Sequence, residues 1–292
     1  MTHQAPSDDA GDIDADAIPA DILQGVVIPP RPAVLADLQS ELRKEDPDQR
    51  KIARLAMADV ALTAALLKAV NSAAFSVSRK IESVDQALTM LGLKRVVAVI
   101  TAIVLKRCVK TDSPNLTRFW DVAAKRSYAV SKLARKVGGV DVDAAQVFGL
   151  FCDVGIPILM QRFPDYPATL KRCDQEDILP FTEIERRTHG TDHAFIGSLM
   201  ARSWGIAPVV TQAIRYSHEP LVFQDPKVPA ASIRLIAFNL VAELAIQRYN
   251  GLHVSKEWNK AGDGAIGALM FSEEDLEEWI EELTDAYAQG LD

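Results

Sequence analysis

Beginning near residue 28, apolar positions recur at three- and four-residue spacing, the period that lines up side chains on one face of an α-helix. In "DQRKIARLAMA" Ile52, Leu55 and Ala56 share a face, and in "DVALTAALLKAVNSAAF" Leu62, Ala65, Leu66, Ala69 and Val70 do. Asp59 is placed to cap the second of these helices, and Ser83 with Gln86 opens a third that stops at Gly92. "LKRVVAVITAIVLKRCV" is apolar all round in its middle. It predicts a central buried helix, since no partner strand is evident for its β-branched residues. After "TDSPN" the pattern resumes: one long helix through "LTRFWDVAAKRSYAVSKLARKVGG", then "DVDAAQVFGLFCDVG" and "IPILMQRF", and "PFTEIERRTHG" ending at Gly190. "HAFIGSLMARSWG" follows, capped by Thr191 or Asp192, then a helix opened by Pro208 and a long one through "PAASIRLIAFNLVAELAIQRYNG". A last helix starts at Ser272, with acidic residues in its first turn and Leu276, Trp279, Ile280 and Leu283 as an apolar stripe. The fold class expected is therefore all-α.

Composition changes this picture little, but charge placement adds to it. Residues 1–21 hold six Asp and no Lys or Arg, and residues 271–292 hold nine acidic residues and no base. With a total of −8, this leaves +7 on residues 22–270. Acidic ends balancing a mildly basic body account for this, and no arginine-rich run interleaved with aromatics points to nucleic acid. Three cysteines without CxxC spacing fit a reducing cytoplasm. The N-terminus lacks a basic stretch followed by an apolar run, so no secretion signal is expected, and "VVAVITAIVL" is about half a membrane span.

The order "IPPRPAVLADL", "ADVALTAALLKAVNSAAF", "IESVDQALTMLGLKRVVAVI" resembles the N-terminal half of the HDOD domain, with Asn71-Ser72-Ala73 and Leu91-Gly92 as its sharpest marks. "AQVFGLFCDVGIPIL" and "HGTDHAFIGSLMARSWGIAPVVTQAIRYSHEP" are similar to the HD-related second half. Val60 departs from the proline usual in such sequences. The resemblance implies an N-terminal helical lobe over 28–112 packed on an HD-like lobe over 113–270. An acidic tail at 1–27 and an amphipathic helix at 271–292 would flank them. It also implies a bacterial signalling module that works through protein contacts, with the cleft between the lobes as the place for a partner or small ligand. Asn71 and Ser72 read either as part of a contact surface or as a polar helix end.

HD enzymes hold a divalent ion with imidazoles and a His-Asp pair, and the ion activates water and polarises phosphate. When "RSYAVSKLA" is aligned on the helix that carries the first histidine, Arg126 takes that place, and the pair becomes Cys152-Asp153. A guanidinium offers only donors and cannot be a ligand. Cys152 lies on an apolar face and reads as a core residue rather than a zinc ligand or nucleophile. Asp153 then needs a partner: a base, with Arg126 the first choice, or backbone N–H groups. His193 and His218 lie in segments where later ligands could fall. The sequence expectation is that His193 packs beside its helix and that His218 is a satisfied interfacial side chain. His189, four residues before His193, belongs to a different element because Gly190 and Thr191 intervene. No metal, cofactor or catalytic residue is expected; the alternative is a phosphohydrolase or cyclic-nucleotide phosphodiesterase with altered ligands.

Overall fold

The structure is a computed structural model that describes residues 25–72, 79–109, 114–252 and 255–290. Most of the acidic segment at 1–27 lies outside them, as do Ala73, His3 and His253. Among the described residues the chain is helical, with no strand.

The chain opens with α1 (Ala33–Leu42), α2 (Gln49–Met57), α3 (Val60–Val70), α4 (Val84–Leu91) and α5 (Leu93–Cys108). Asp59 caps α3 by accepting the Leu62 N–H, and Ser83 caps α4 by accepting that of Gln86. Gln86 does not close a capping box on Ser83; its side chain accepts the N–H of Glu82. The apolar run predicted to be a central helix is α5, whose Val96 to Thr101 are buried in succession. Asn71 ends α3 and is consumed internally. Its amide donates to the carbonyls of Leu67 and Ile81, and its carbonyl accepts the Ile81 N–H at 2.8 Å. Ser72 donates to the Ala69 carbonyl. The side-chain groups of both are thus bonded to the end of α3 and, for Asn71, to Ile81, which favours the helix-end reading.

The chain continues through α6 (Pro114–Val137), α7 (Val142–Phe151), α8 (Gly155–Arg162), α9 (Tyr166–Gln175), α10 (Phe181–His189), α11 (His193–Ser203) and α12 (Pro208–Tyr216). A 3-10 turn at Pro220–Gln224 leads to α13 (Ala230–Tyr249) and α14 (Lys256–Leu269). Helix α15 (Glu273–Ala288) opens with a complete capping box between Ser272 and Asp275. It buries Leu276, Ile280 and Leu283 against the body, while Glu277 meets Arg248 and Glu282 reaches Lys132 and Lys136. Two apolar runs, Val142–Arg162 and Ala230–Tyr249, are long enough by length and composition to cross a membrane, but most of each is buried in this fold. Trp204 ties the segment before α1 to α7. It is fully buried, meets Phe151 edge to face, and donates its Nε1–H to the Pro29 carbonyl at 2.8 Å.

Two close approaches build the region that matters for function. Gly149 of α7 lies so near α6 that a Cβ there would sit 2.5 Å from the Ser127 Cα. Gly155, the first residue of α8, lies against α11, where a Cβ would come within 2.0 Å of the His193 carbonyl oxygen. Backbone-to-backbone contact of this kind requires the missing side chain. The first contact sets Arg126 beside the turn that follows α7. The second sets that turn beside the start of α11.

Candidate functional site

Asp153 sits in the turn between α7 and α8, its side chain 13 % exposed. Its Oδ2 meets Arg126 Nη2 at 2.6 Å. Its Oδ1 faces two imidazoles, His193 Nε2 at 3.7 Å and His218 Nε2 at 3.6 Å. The structure thus gathers Arg126, Asp153, His193 and His218 from four places in the chain. Cys152 is next in sequence but points into the core, fully buried. His189 lies elsewhere, with Nε2 2.9 Å from Thr169 Oγ1 and its ring against Phe163 and Tyr166.

Each of the two histidines is held from behind. His193 Nδ1 is 2.7 Å from Glu185 Oε2, and the His193 backbone N–H donates to the same oxygen. Glu185 is fully buried and also accepts the Tyr166 hydroxyl. His218 Nδ1 is 2.9 Å from Glu257 Oε2, and Glu257 is in turn paired with Lys260. The ring of Phe181 packs against both imidazoles, which meet each other at a centroid distance of 4.7 Å. A carboxylate on Nδ1 fixes the ring and aims Nε2 forward. At the front, Asp153 Oδ1, His193 Nε2 and His218 Nε2 are all buried without a hydrogen-bond partner. His218, expected as a satisfied interfacial side chain, has Nδ1 on Glu257 and Nε2 facing Asp153, and His193, expected to cap or pack beside its helix, is the first residue of α11 with Nδ1 on Glu185 and Nε2 facing the same carboxylate.

The electrostatics follow from burial and neighbours. Burial alone would raise Asp153, but the Arg126 charge and the two imidazoles outweigh it and hold the carboxyl well below its usual range. Burial would lower His193, yet the Glu185 charge, the facing Asp153 carboxylate and the Glu185 hydrogen bond lift it to about 9. His218 is likewise raised, against burial, by Asp153 and Glu257. Cys152 is pushed far up by burial and then by Asp153, which keeps it a thiol and removes it as a nucleophile.

This cluster forms the floor of a cavity of about 380 Å³, lined also by Arg118, Phe181, Glu243 and Lys256. Glu243, a lone carboxyl in the apolar helix α13, is raised to about 7 by burial and then by the nearby Glu257. The cavity is lined by side chains between Arg118 and Glu257. A separate apolar groove of about 250 Å³, where the early helices meet the later ones, lies between α5 and α7, bordered by Val97, Val147 and Ile206. Sequence reasoning missed Glu185, Glu243 and Glu257. For Glu243 a signal existed, an acid interrupting "NLVAELAIQ"; the other two are brought in by helices that meet only in the fold.

The full ligand set of an HD enzyme does not fit these residues. Arg126 brings only donors to one position, and Cys152 faces away from the cavity at another. What remains is a smaller set of Asp153, His193 and His218, whose free atoms lie within 4.8 Å of one another.

Comparison with known proteins gives a consistent picture. The sequence model of the HDOD domain matches residues 28–220. An uncharacterized protein of Treponema pallidum (strain Nichols) is 24% identical over 225 residues, which is 77% of this chain and 43% of that protein. This chain thus spans less than half the length of that relative. Among solved structures, an HDOD domain protein of unknown function from Geobacter sulfurreducens superposes with a TM-score of 0.69 at 21% identity, covering 92% of this chain and 93% of that one. A Shewanella amazonensis SB2B protein that carries a provisional phosphohydrolase name superposes at 0.65 with 22% identity, covering 90% and 98%. At such identities the likeness to these structures is one of fold.

Proposed function

Starting from the HDOD domain family, to which this chain belongs, we propose that the protein is a regulatory output module of bacterial signal transduction that acts by binding and does not hydrolyse phosphoesters. The observation that carries this reading is the Arg126 guanidinium 2.6 Å from Asp153. A hydrolytic centre needs its metal open to water and to phosphate oxygens. Here a fixed cation occupies one face of the carboxylate that such a metal would need, and the residue before Asp153 is a buried thiol. The module then works by preferring one arrangement of its helices when a partner protein or small ligand is bound, which requires different affinities for two arrangements.

A second reading, an HD-type phosphohydrolase with altered ligands, draws on the three free atoms of Asp153, His193 and His218. One assay separates the two. The full chain is supplied with Mn²⁺ or Ni²⁺ and offered bis(p-nitrophenyl) phosphate and a cyclic nucleotide. The binding reading expects hydrolysis at the rate of metal in buffer. Turnover above that rate which disappears in Asp153→Asn would replace it with the enzyme reading.

A further inference from the structure

We propose that the cavity above Asp153 takes an uncharged ligand of the sugar class, seated by one hydroxyl on Asp153 Oδ1, His193 Nε2 and His218 Nε2. This names the ligand of the binding module argued above and rests on that reading. The first observation is the hydrogen-bond inventory of the floor, where all three atoms are buried and unpartnered. Asp153 is ionised, so Oδ1 can only accept. Against burial, the neighbouring carboxylates keep both imidazoles protonated, so each Nε2–H can only donate. One acceptor and two donors are the complement of a hydroxyl, which carries one O–H and two lone pairs. The spacing agrees. Oδ1 stands 3.7 Å from one Nε2 and 3.6 Å from the other, and the three atoms lie within 4.8 Å of one another. An oxygen about 2.8 Å from each of them fits over such a triangle with no side chain moved.

The walls extend the match beyond one hydroxyl. Arg126 keeps Asp153 Oδ2, and its own Nε is buried and unpartnered, a donor for a neighbouring hydroxyl oxygen. Glu243 and Gln247, one turn apart on α13, bring a carboxyl and an amide to the cavity, and Phe181 brings an apolar wall for the carbon face of a ring. A few placed polar groups beside an apolar wall orient a small molecule, and about 380 Å³ is a volume that such sites have. Charge argues against an anion. In the lining, Arg118, Arg126 and Lys256 are opposed by Asp153, Asp174 and Glu257, and Glu185 stands behind His193 at 2.7 Å. A phosphate on the floor would face the Asp153 carboxylate at close range. A ligand hydroxyl reproduces the bonds that water makes at such a spot, so displacing water costs little.

The test is saturation-transfer NMR on the full chain with D-ribose, myo-inositol, adenosine and dioxane at millimolar concentration, and with inorganic phosphate as competitor. Transfer to ribose or inositol is expected, with none to dioxane, a ring that accepts hydrogen bonds but cannot donate one. Phosphate should displace neither. Adenosine bound more tightly than ribose identifies a nucleoside as the source of the hydroxyls, and adenosine bound more weakly identifies a free sugar. His218→Ala should weaken binding about 10-fold or more, with helix content by circular dichroism unchanged. Glu257→Gln keeps the shape and removes a charge that holds His218 as a double donor; it should weaken binding too, and gives the reading if His218→Ala unfolds. No transfer to any hydroxyl probe, equal transfer to dioxane, displacement by phosphate, or unchanged affinity in both variants overturns the site. The phosphodiester assay keeps the two claims apart: failure of every hydroxyl probe removes this ligand class alone, whereas sugar binding with turnover upholds the site and removes the regulatory reading.

Discussion

Replacing Arg126 with Met is expected to lower the free energy of unfolding by about 4 kcal/mol, because breaking a buried ion pair from one side leaves an uncompensated charge. Arg126 is 5% exposed and Asp153 is its nearest partner. Methionine fills much of the same volume without the charge, so packing loss contributes little. His193 and His218 cannot fully take over, since their Nε2 atoms stand at 3.7 and 3.6 Å, beyond good hydrogen-bond range. Urea denaturation followed by far-ultraviolet circular dichroism gives the number. A loss below about 1 kcal/mol, the range of exposed pairs, would mean that the two imidazoles alone neutralise Asp153.

The second large effect is expected at a residue with no side chain. Gly155→Ala introduces a Cβ 2.0 Å from the His193 carbonyl oxygen and 2.7 Å from its carbonyl carbon. Neither is the movable end of a side chain, so α8 and α11 must separate. Overpacking of this kind costs about 3 kcal/mol. The separation also draws Asp153 away from His193. The variant should therefore lose stability, read as a lower urea midpoint by circular dichroism. If Gly155→Ala unfolds at the same urea concentration as the wild type, the contact is looser than the structure shows.

Much of the fold was legible because helices declare themselves locally. The stripes on α3 and α15, the caps at Asp59 and Ser272 and the fully apolar α5 each follow from spacing within a dozen residues. Helices α9 and α14 were not read from the sequence. In α14, Gly262, Gly264 and Gly267 interrupt the pattern; in the fold, Gly262 packs tightly against Trp258 and Gly264 against Phe223. The omission mattered, since α14 supplies Glu257, and so the orientation of His218. Local periodicity also says nothing about which helices cross. Pairing Arg126 with Asp153 needed the alignment of "RSYAVSKLA" on a known helix. The open nitrogens of His193 and His218 needed the positions of Glu185 and Glu257, 8 and 39 residues away. The convergence of side chains from Arg118 to Glu257 on one polar cavity is a fact of tertiary packing with no counterpart in the pattern.

The central physical claim is that the Arg126 guanidinium supplies the charge Asp153 requires. A double-mutant cycle on Arg126→Met and Asp153→Asn, read by urea denaturation of the metal-free chain, tests it most directly. Coupling of about 2 kcal/mol or more is expected, with the double variant more stable than Arg126→Met alone. Additive effects, within about 0.5 kcal/mol, would contradict the claim and show that Asp153 is balanced by something other than Arg126.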